Sequence, residues 1–207
     1  MSKKNNHIFK RAGLHNVTFL FKRRLTSLEK LFNGINALIT INLSQLEVEK
    51  VTSLNSMFAH SLNLVKVTFE FSTSNKIEDM SDLFNGCSSL KSVIFNFDAE
   101  KVVDMKRMFE NCKSLENIEL NIRNTKNLLN IENLFLKCDN LTFIDLSALN
   151  FEHILNMNYL FKDLKNLLDI KFPNSQTNEL VDMQGIFLNC KSLNKVDLSN
   201  FNFQKIN

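Results

Sequence analysis

The phrase "MSDLFNGCSSL", residues 80–90, returns as "MKRMFENCKSL" at 105–115 and as "MQGIFLNCKSL" at 183–193. Anchored on its phenylalanine, the register runs through Phe32, Phe58, Phe84, Phe109, Phe135, Phe161 and Phe187, with gaps of 26, 26, 25, 26, 26 and 26 residues. A fixed period of this size means that each unit is one small supersecondary element, able to bury its apolar face only against its neighbours. The chain is therefore expected to stack into a solenoid.

The columns of the repeat carry the local expectations. Apolar residues recur seven, four and one before the anchor, as in Val102, Met105 and Met108 ahead of Phe109. That spacing falls on one stripe at helical pitch. Five before the anchor stand Ser27, Ser53, Asp79, Asp104, Asn130, Asn156 and Asp182, all residues whose side-chain oxygen accepts from a free N–H at a helix start. Two after it, Gly34, Gly86, Asn111 and Asn189 suit the left-handed residue that stops a helix. The spacing predicts a helix of about two turns per repeat, too short to persist without stacking.

A different period follows each anchor. Leu115, Ile118 and Leu120 stand six, nine and eleven residues after Phe109, and the same L-x-x-L-x-L columns fill after every other anchor. Alternate residues of a short strand point inward in this way. The expected fold is α/β: a leucine-rich-repeat solenoid with one parallel sheet and one layer of short helices.

Upstream, Leu14, Val17 and Phe19 match the strand columns and Ile8 takes the anchor place. Residues 1–24 hold seven bases and no acid, whereas the remaining 183 residues carry a net charge of −4. These observations divide the chain into a basic N-terminal cap with a degenerate repeat, 1–24, and a solenoid of about seven repeats, 25–207. At the far end, Ile206 stands where the first apolar residue of a further helix belongs, and Leu198, Phe201 and Phe203 of "VDLSNFNFQKIN" have no following repeat. The array is thus expected to end without a C-terminal cap, on a bare strand open to end-to-end association.

The phrase "VVDMKRMFENCKSLENIEL", with "VDLSNFN" in the last repeat, resembles the BspA-type leucine-rich repeat of bacterial surface proteins and some parasitic protists, over about residues 25–206. The resemblance implies an extracellular or surface-attached protein acting in adhesion to host matrix proteins or other cells. Near the start the longest apolar run is "VTFLF", shorter than the ~7–15 residues of a secretory core, which points instead to the cytoplasm. No run approaches the ~18 apolar residues of a membrane span.

Catalytic and metal readings find little support in the columns. Cys87, Cys112, Cys138 and Cys190 stand one per repeat, three after the anchor, in a column shared with Ile35, Ser61 and Leu164. A metal site needs clustered ligands, so this column reads as a small core slot. Disulfides between neighbouring repeats fit the spacing but not a reducing compartment. His7, His15, His60 and His153 do not recur in register, and His60 reads as a stand-in for the helix-ending Gly or Asn. Asp79, Asp104 and Asp182 align, but Ser and Asn share their column, as capping requires and acid–base chemistry does not. The chain is expected to be no enzyme and to use no metal or cofactor.

What remains free is the outward side of the strands, where a repeat scaffold builds a binding face. Phe143, an apolar ring expected beside Glu116, Glu119 and Asp145, is the leading candidate, with Ile94, Leu168 and Lys171 around it. The expected partner is a protein. The alternatives are a structural or assembly role through the open end, and binding of the basic head to nucleic acid or acidic lipid, with nucleic acid the less favoured partner.

Overall fold

Each L-x-x-L-x-L segment can bury alternate residues only if neighbouring repeats align in register. The structure, a computed structural model, describes residues 24–71 and 76–206 and contains six strands. β1 (Thr40–Asn42), β2 (Lys66–Glu70), β3 (Ser92–Asp98) and β4 (Asn117–Arg123) form one parallel sheet in chain order. β5 (Phe143–Asp145) and β6 (Asp169–Lys171) form a second parallel pair. Val67 registers with Val93 and Val93 with Ile118, while Phe69, Phe95 and Leu120 register one pleat further on. These are the inward columns of the sequence, and Val67, Phe69 and Phe95 are fully buried. Among the described residues the sheet is interrupted between β4 and β5, and no strand forms after β6. The bare final strand expected at "VDLSN" is therefore absent as a paired element.

The helices are the main correction. Among the described residues there is none. A helix requires each N–H to reach the carbonyl four residues back, and here alternate N–H groups leave the coil altogether. Met105, Arg107, Phe109 and Asn111 donate to the carbonyls of Asn130, Glu132, Leu134 and Leu136 in the following coil, at 3.0, 2.9, 3.0 and 2.8 Å. The residues between them close tight turns instead: Met108 donates to Met105, Glu110 to Arg107 and Cys112 to Phe109. The segment is a ribbon of consecutive turns.

Two left-handed residues in every coil impose this path. One lies two before the anchor: Lys30, Ser56, Asp82, Arg107, Asn133, Tyr159 and Gly185, with φ between 53° and 58°. The other lies two after it: Gly34, His60, Gly86, Asn111, Lys137, Asp163 and Asn189. The second column includes the Gly and Asn positions that the sequence marks; the first is filled mostly by residues with no preference for positive φ, so nothing announced it. Proximity favours glycine at two of these positions too, since a Cβ on Gly86 would lie 2.5 Å from Nδ1 of His60 and one on Gly185 2.7 Å from the Tyr159 ring.

The cap column performs its expected chemistry without a helix. Side chains of Ser27, Ser53, Asp79, Asp104, Asn130, Asn156 and Asp182 each accept from the N–H two residues on. Their backbones join in an unbroken run of parallel bridges from Ser27 to Asp182. Inside, the anchor rings form a continuous stack, with neighbouring centroids 5.4 to 6.3 Å apart and planes within 12° of parallel. Phe69 and Phe95 stack at 5.3 Å and meet the anchor rings edge-on, the favoured geometry for a second aromatic row.

Cysteine has a more specific role than filling space. The thiols of Cys87, Cys112, Cys138 and Cys190 donate to the carbonyls of Phe58, Phe84, Phe109 and Phe161, one coil back, at 2.9 to 3.2 Å. The hydroxyl of Ser61 does the same to Phe32 at 2.8 Å. The slot favours a small donor. All four thiols are free. The degenerate repeat and basic head at 1–24 lie outside the described residues, Arg24 excepted.

Candidate binding face

The strands hold five of the seven candidate residues, Ile94, Glu119, Phe143, Asp145 and Lys171, and Ile94, Phe143, Asp145 and Lys171 sit where the pleat turns outward or half outward. Ile94, in β3, is half-buried and registers with Glu119 of β4. Phe143 opens β5 and is 48% exposed; Leu168, just ahead of β6, is 57% exposed. The Leu168 N–H donates to the carbonyl of Thr142 at 2.8 Å, so Leu168 and Phe143 stand one residue apart in register on adjacent coils. Their side chains form the apolar part of the face.

The charges around them are arranged differently from the expected acidic patch. Phe143 registers with Asp169, not with Glu116 or Glu119. Glu116 faces Lys91 at 3.8 Å, and Asp145 faces Lys171 at 3.1 Å. Burial pushes the Asp145 carboxyl up, but bonds from the hydroxyl and N–H of Ser147, and from Lys171, outweigh it and hold the group below the usual carboxylate range. The face therefore presents cross-strand ion pairs flanking an apolar pair. Lys91 and Asp169 belong to the site as neighbours of Glu116 and Phe143, and sequence reasoning missed them. The signal was present, because Lys91 and Glu116 both lie seven after an anchor and Phe143 and Asp169 both lie eight after.

Elsewhere the polar groups are occupied structurally. Asp79, Asp104 and Asp182 bond their own backbones. Burial, followed by the charge of Asp79, outweighs the N–H of Lys106 and raises the Asp104 carboxyl. His153 pairs with Glu179 at 3.2 Å. Among the described residues no group of His, Cys, Asp and Glu could hold a metal ion, and no buried side-chain nitrogen or oxygen lacks a partner. A hollow lined by Gln176, Phe201, Asn202 and Phe203, with neighbouring Ser199, Asn200 and Gln204, contains no titratable side chain. No helix among the described residues is long and apolar enough to cross a membrane.

Comparison with known proteins places this architecture. The family described as "Mycoplasma protein of unknown function, DUF285" matches three overlapping stretches, residues 26–142, 61–171 and 129–207. No curated protein matches the sequence. Among solved structures, a leucine-rich repeat protein from Bacteroides ovatus is similar with a TM-score of 0.53 at 18% identity, covering 88% of this chain and 45% of that one. A leucine-rich repeat protein from T. pallidum gives 0.47 at 18% identity, covering 76% and 79%. One from Eubacterium ventriosum gives 0.40 at 21%, covering 81% and 34%. The chain thus spans less than half of the Bacteroides and Eubacterium chains. The Bacteroides likeness identifies the fold as a leucine-rich-repeat solenoid.

Proposed function

We propose that this chain, which belongs to the family of Mycoplasma proteins of unknown function designated DUF285, is a non-enzymatic binding module whose strand face engages a protein partner. The observation that carries the reading is the exposed pair of Phe143 and Leu168 on adjacent coils of the stacked scaffold. An apolar pair rimmed by charges has the anatomy of a protein interface, with an apolar centre and a polar border. Glu116, Asp145 and Lys171 supply charges of that border, and the registered positions Ile94 and Glu119 extend the face on the β3–β4 side. Surface adhesion, which the BspA-type resemblance implies, is the finer form of the same proposal. The aligned carboxylates are engaged with their own backbones, which favours binding over catalysis.

The test compares partners captured from cell extract by immobilised wild-type chain with those captured by Phe143→Ala/Glu119→Lys. Loss of a captured protein, with the circular dichroism spectrum unchanged, supports the strand face. Retained capture moves the site elsewhere.

A further inference from the structure

A different surface carries an independent proposal. Six before each anchor the first three coils place Thr26, Thr52 and Glu78, and the next four place Val103, Leu129, Leu155 and Val181. These four are 36, 38, 38 and 37% exposed, while the preceding residues Val102, Leu128, Ile154 and Leu180 are buried. Leu129 donates to the Val103 carbonyl, Leu155 to Leu129 and Val181 to Leu155, at 3.0, 2.9 and 3.1 Å. The side chains therefore form one stripe of four rungs, about 14 Å long at normal strand spacing. Such a contiguous apolar row differs from scattered surface leucines.

The order along the stripe, Val-Leu-Leu-Val, reads the same from both ends, and its flank is complementary to itself when reversed. Eight before the anchors stand Lys101, Asn127, His153 and Glu179; nine before stand Glu100, Lys126, Glu152 and Asn178. Laid against a reversed copy, Lys101 meets Glu179, Lys126 meets Glu152, Val103 meets Val181 and Leu129 meets Leu155. On the opposite flank, Lys106 meets Gln184 and Glu132 meets Asn158. Asp104 and Asp182 also come opposite each other, but each carboxylate is turned onto an N–H of its own chain. A copy laid in the same direction would instead bring the Lys101 side toward Lys106.

From this reversed complementarity we infer that two copies of the chain associate side by side and antiparallel through the stripe Val103–Leu129–Leu155–Val181, with Lys101 of each copy facing Glu179 of the other. A two-fold axis pairs residue i with j and j with i, so the Lys101–Glu179 and Lys126–Glu152 pairs would each form twice. The stripe alone is smaller than the ~800 Å² per partner of a stable interface, so the dimer is weak, with a dissociation constant on the order of 10–100 μM. This interface is separate from the strand face, and it closes at two copies.

Sedimentation velocity of the 207-residue chain, over a series reaching about 500 μM, tests it. Wild type should pass from monomer to dimer and no further. Leu129→Glu/Leu155→Glu should weaken association at least tenfold. Lys101→Glu should weaken it by sign reversal, and Lys101→Glu/Glu179→Lys should restore it to within about twofold of wild type. Phe143→Ala should leave it unchanged. If the stripe variant fails to fold, the charge-reversal pair still decides, since both of its positions lie on the surface. A wild-type monomer throughout the series, a dimer indifferent to the stripe variant, or a double reversal that does not restore association overturns the proposal.

Discussion

Arg107 grips Asp82 of the preceding coil with two parallel bonds, Nε to Oδ1 at 2.9 Å and Nη2 to Oδ2 at 2.8 Å. Both residues are left-handed, at φ 54° and 56°, and occupy the same column. The fork geometry suits a planar guanidinium and a carboxylate, and it ties two turns that local sequence preference would not hold. Asp79 and Asp104, nearby, have no such partner.

Acid should release this clamp. Burial pushes the Asp82 carboxyl up, but the bonds from Arg107 and Asn85 prevail and hold it below its ordinary value of 3.8. A carboxylate depressed in the folded state contributes stability that is present above its unfolded value and lost as pH falls through the folded one. The Arg107 side chain is 41% exposed, so solvent screening limits the contribution to on the order of 1 kcal/mol. Arg107→Gln should lower the unfolding free energy from urea titration at pH 7 by that amount, and the difference from wild type should shrink at an acid pH below the carboxyl's ordinary value of 3.8. An equal deficit at both pH values would contradict the assignment.

Glycine scanning distinguishes the turn ribbon from a helix by sign. Asn133 lies two before its anchor at φ 57°. In a helix interior, Asn133→Gly would be destabilising by a few tenths of a kcal/mol or more. In the ribbon, relief of a left-handed non-glycine, about 1–2 kcal/mol for Lys30 and less for Asn133 because Asn tolerates that region, offsets the added freedom of the unfolded chain. Thermal melts should show Asn133→Gly and Lys30→Gly equal to or more stable than wild type, and the far-UV spectrum should lack the helical double minimum. Clear destabilisation of both variants would favour the helix.

The repeat and its inward columns were legible because burial acts on side-chain type at fixed spacing, as Val67, Val93 and Phe69, Phe95 show. The helix was misread for a physical reason. Met105, Met108 and Phe109 bury at intervals of three and one in a turn ribbon just as on a helical stripe, so periodicity cannot separate the two. The difference lies in where backbone N–H groups go, and positive φ at Arg107 or Tyr159 leaves no mark in composition. Phe143 and Leu168 were legible as outward residues, but Asp169 beside Phe143 and Lys91 beside Glu116 emerge only when columns are compared across coils.

The ring stack predicts where the largest loss falls. Phe109 is fully buried, stacked at 5.6 Å on Phe84 and at 5.7 Å on Phe135, with Phe95 edge-on at 6.3 Å. Phe109→Ala should cost on the order of 3–5 kcal/mol as a core cavity. Cys112→Ala removes one thiol and its bond to the Phe84 carbonyl, which also accepts from the Cys87 N–H at 2.9 Å; the cost should be about 1 kcal/mol. Similar urea midpoints for the two variants would refute the stack as the stabilising spine.

Thiol reactivity tests the cysteine slot directly. Cys87, Cys112 and Cys138 are buried and Cys190 is half-buried, and each thiol points at a carbonyl of the preceding coil. Burial pushes Cys87 up to about 12 and Cys190 to about 11, and raises Cys112 and Cys138 as well. The thiolate is the reacting species, so at pH 8 even Cys190 should react about two to three orders of magnitude more slowly than a free cysteine near 8.5. The other three are also screened from reagent and should wait for the coils to open. Titration with a disulfide reagent should give Cys190 first and slowly in the native protein, then all four at once in urea. Rapid reaction of two or more thiols in the native state would show that the column is open to solvent and does not point into the stack.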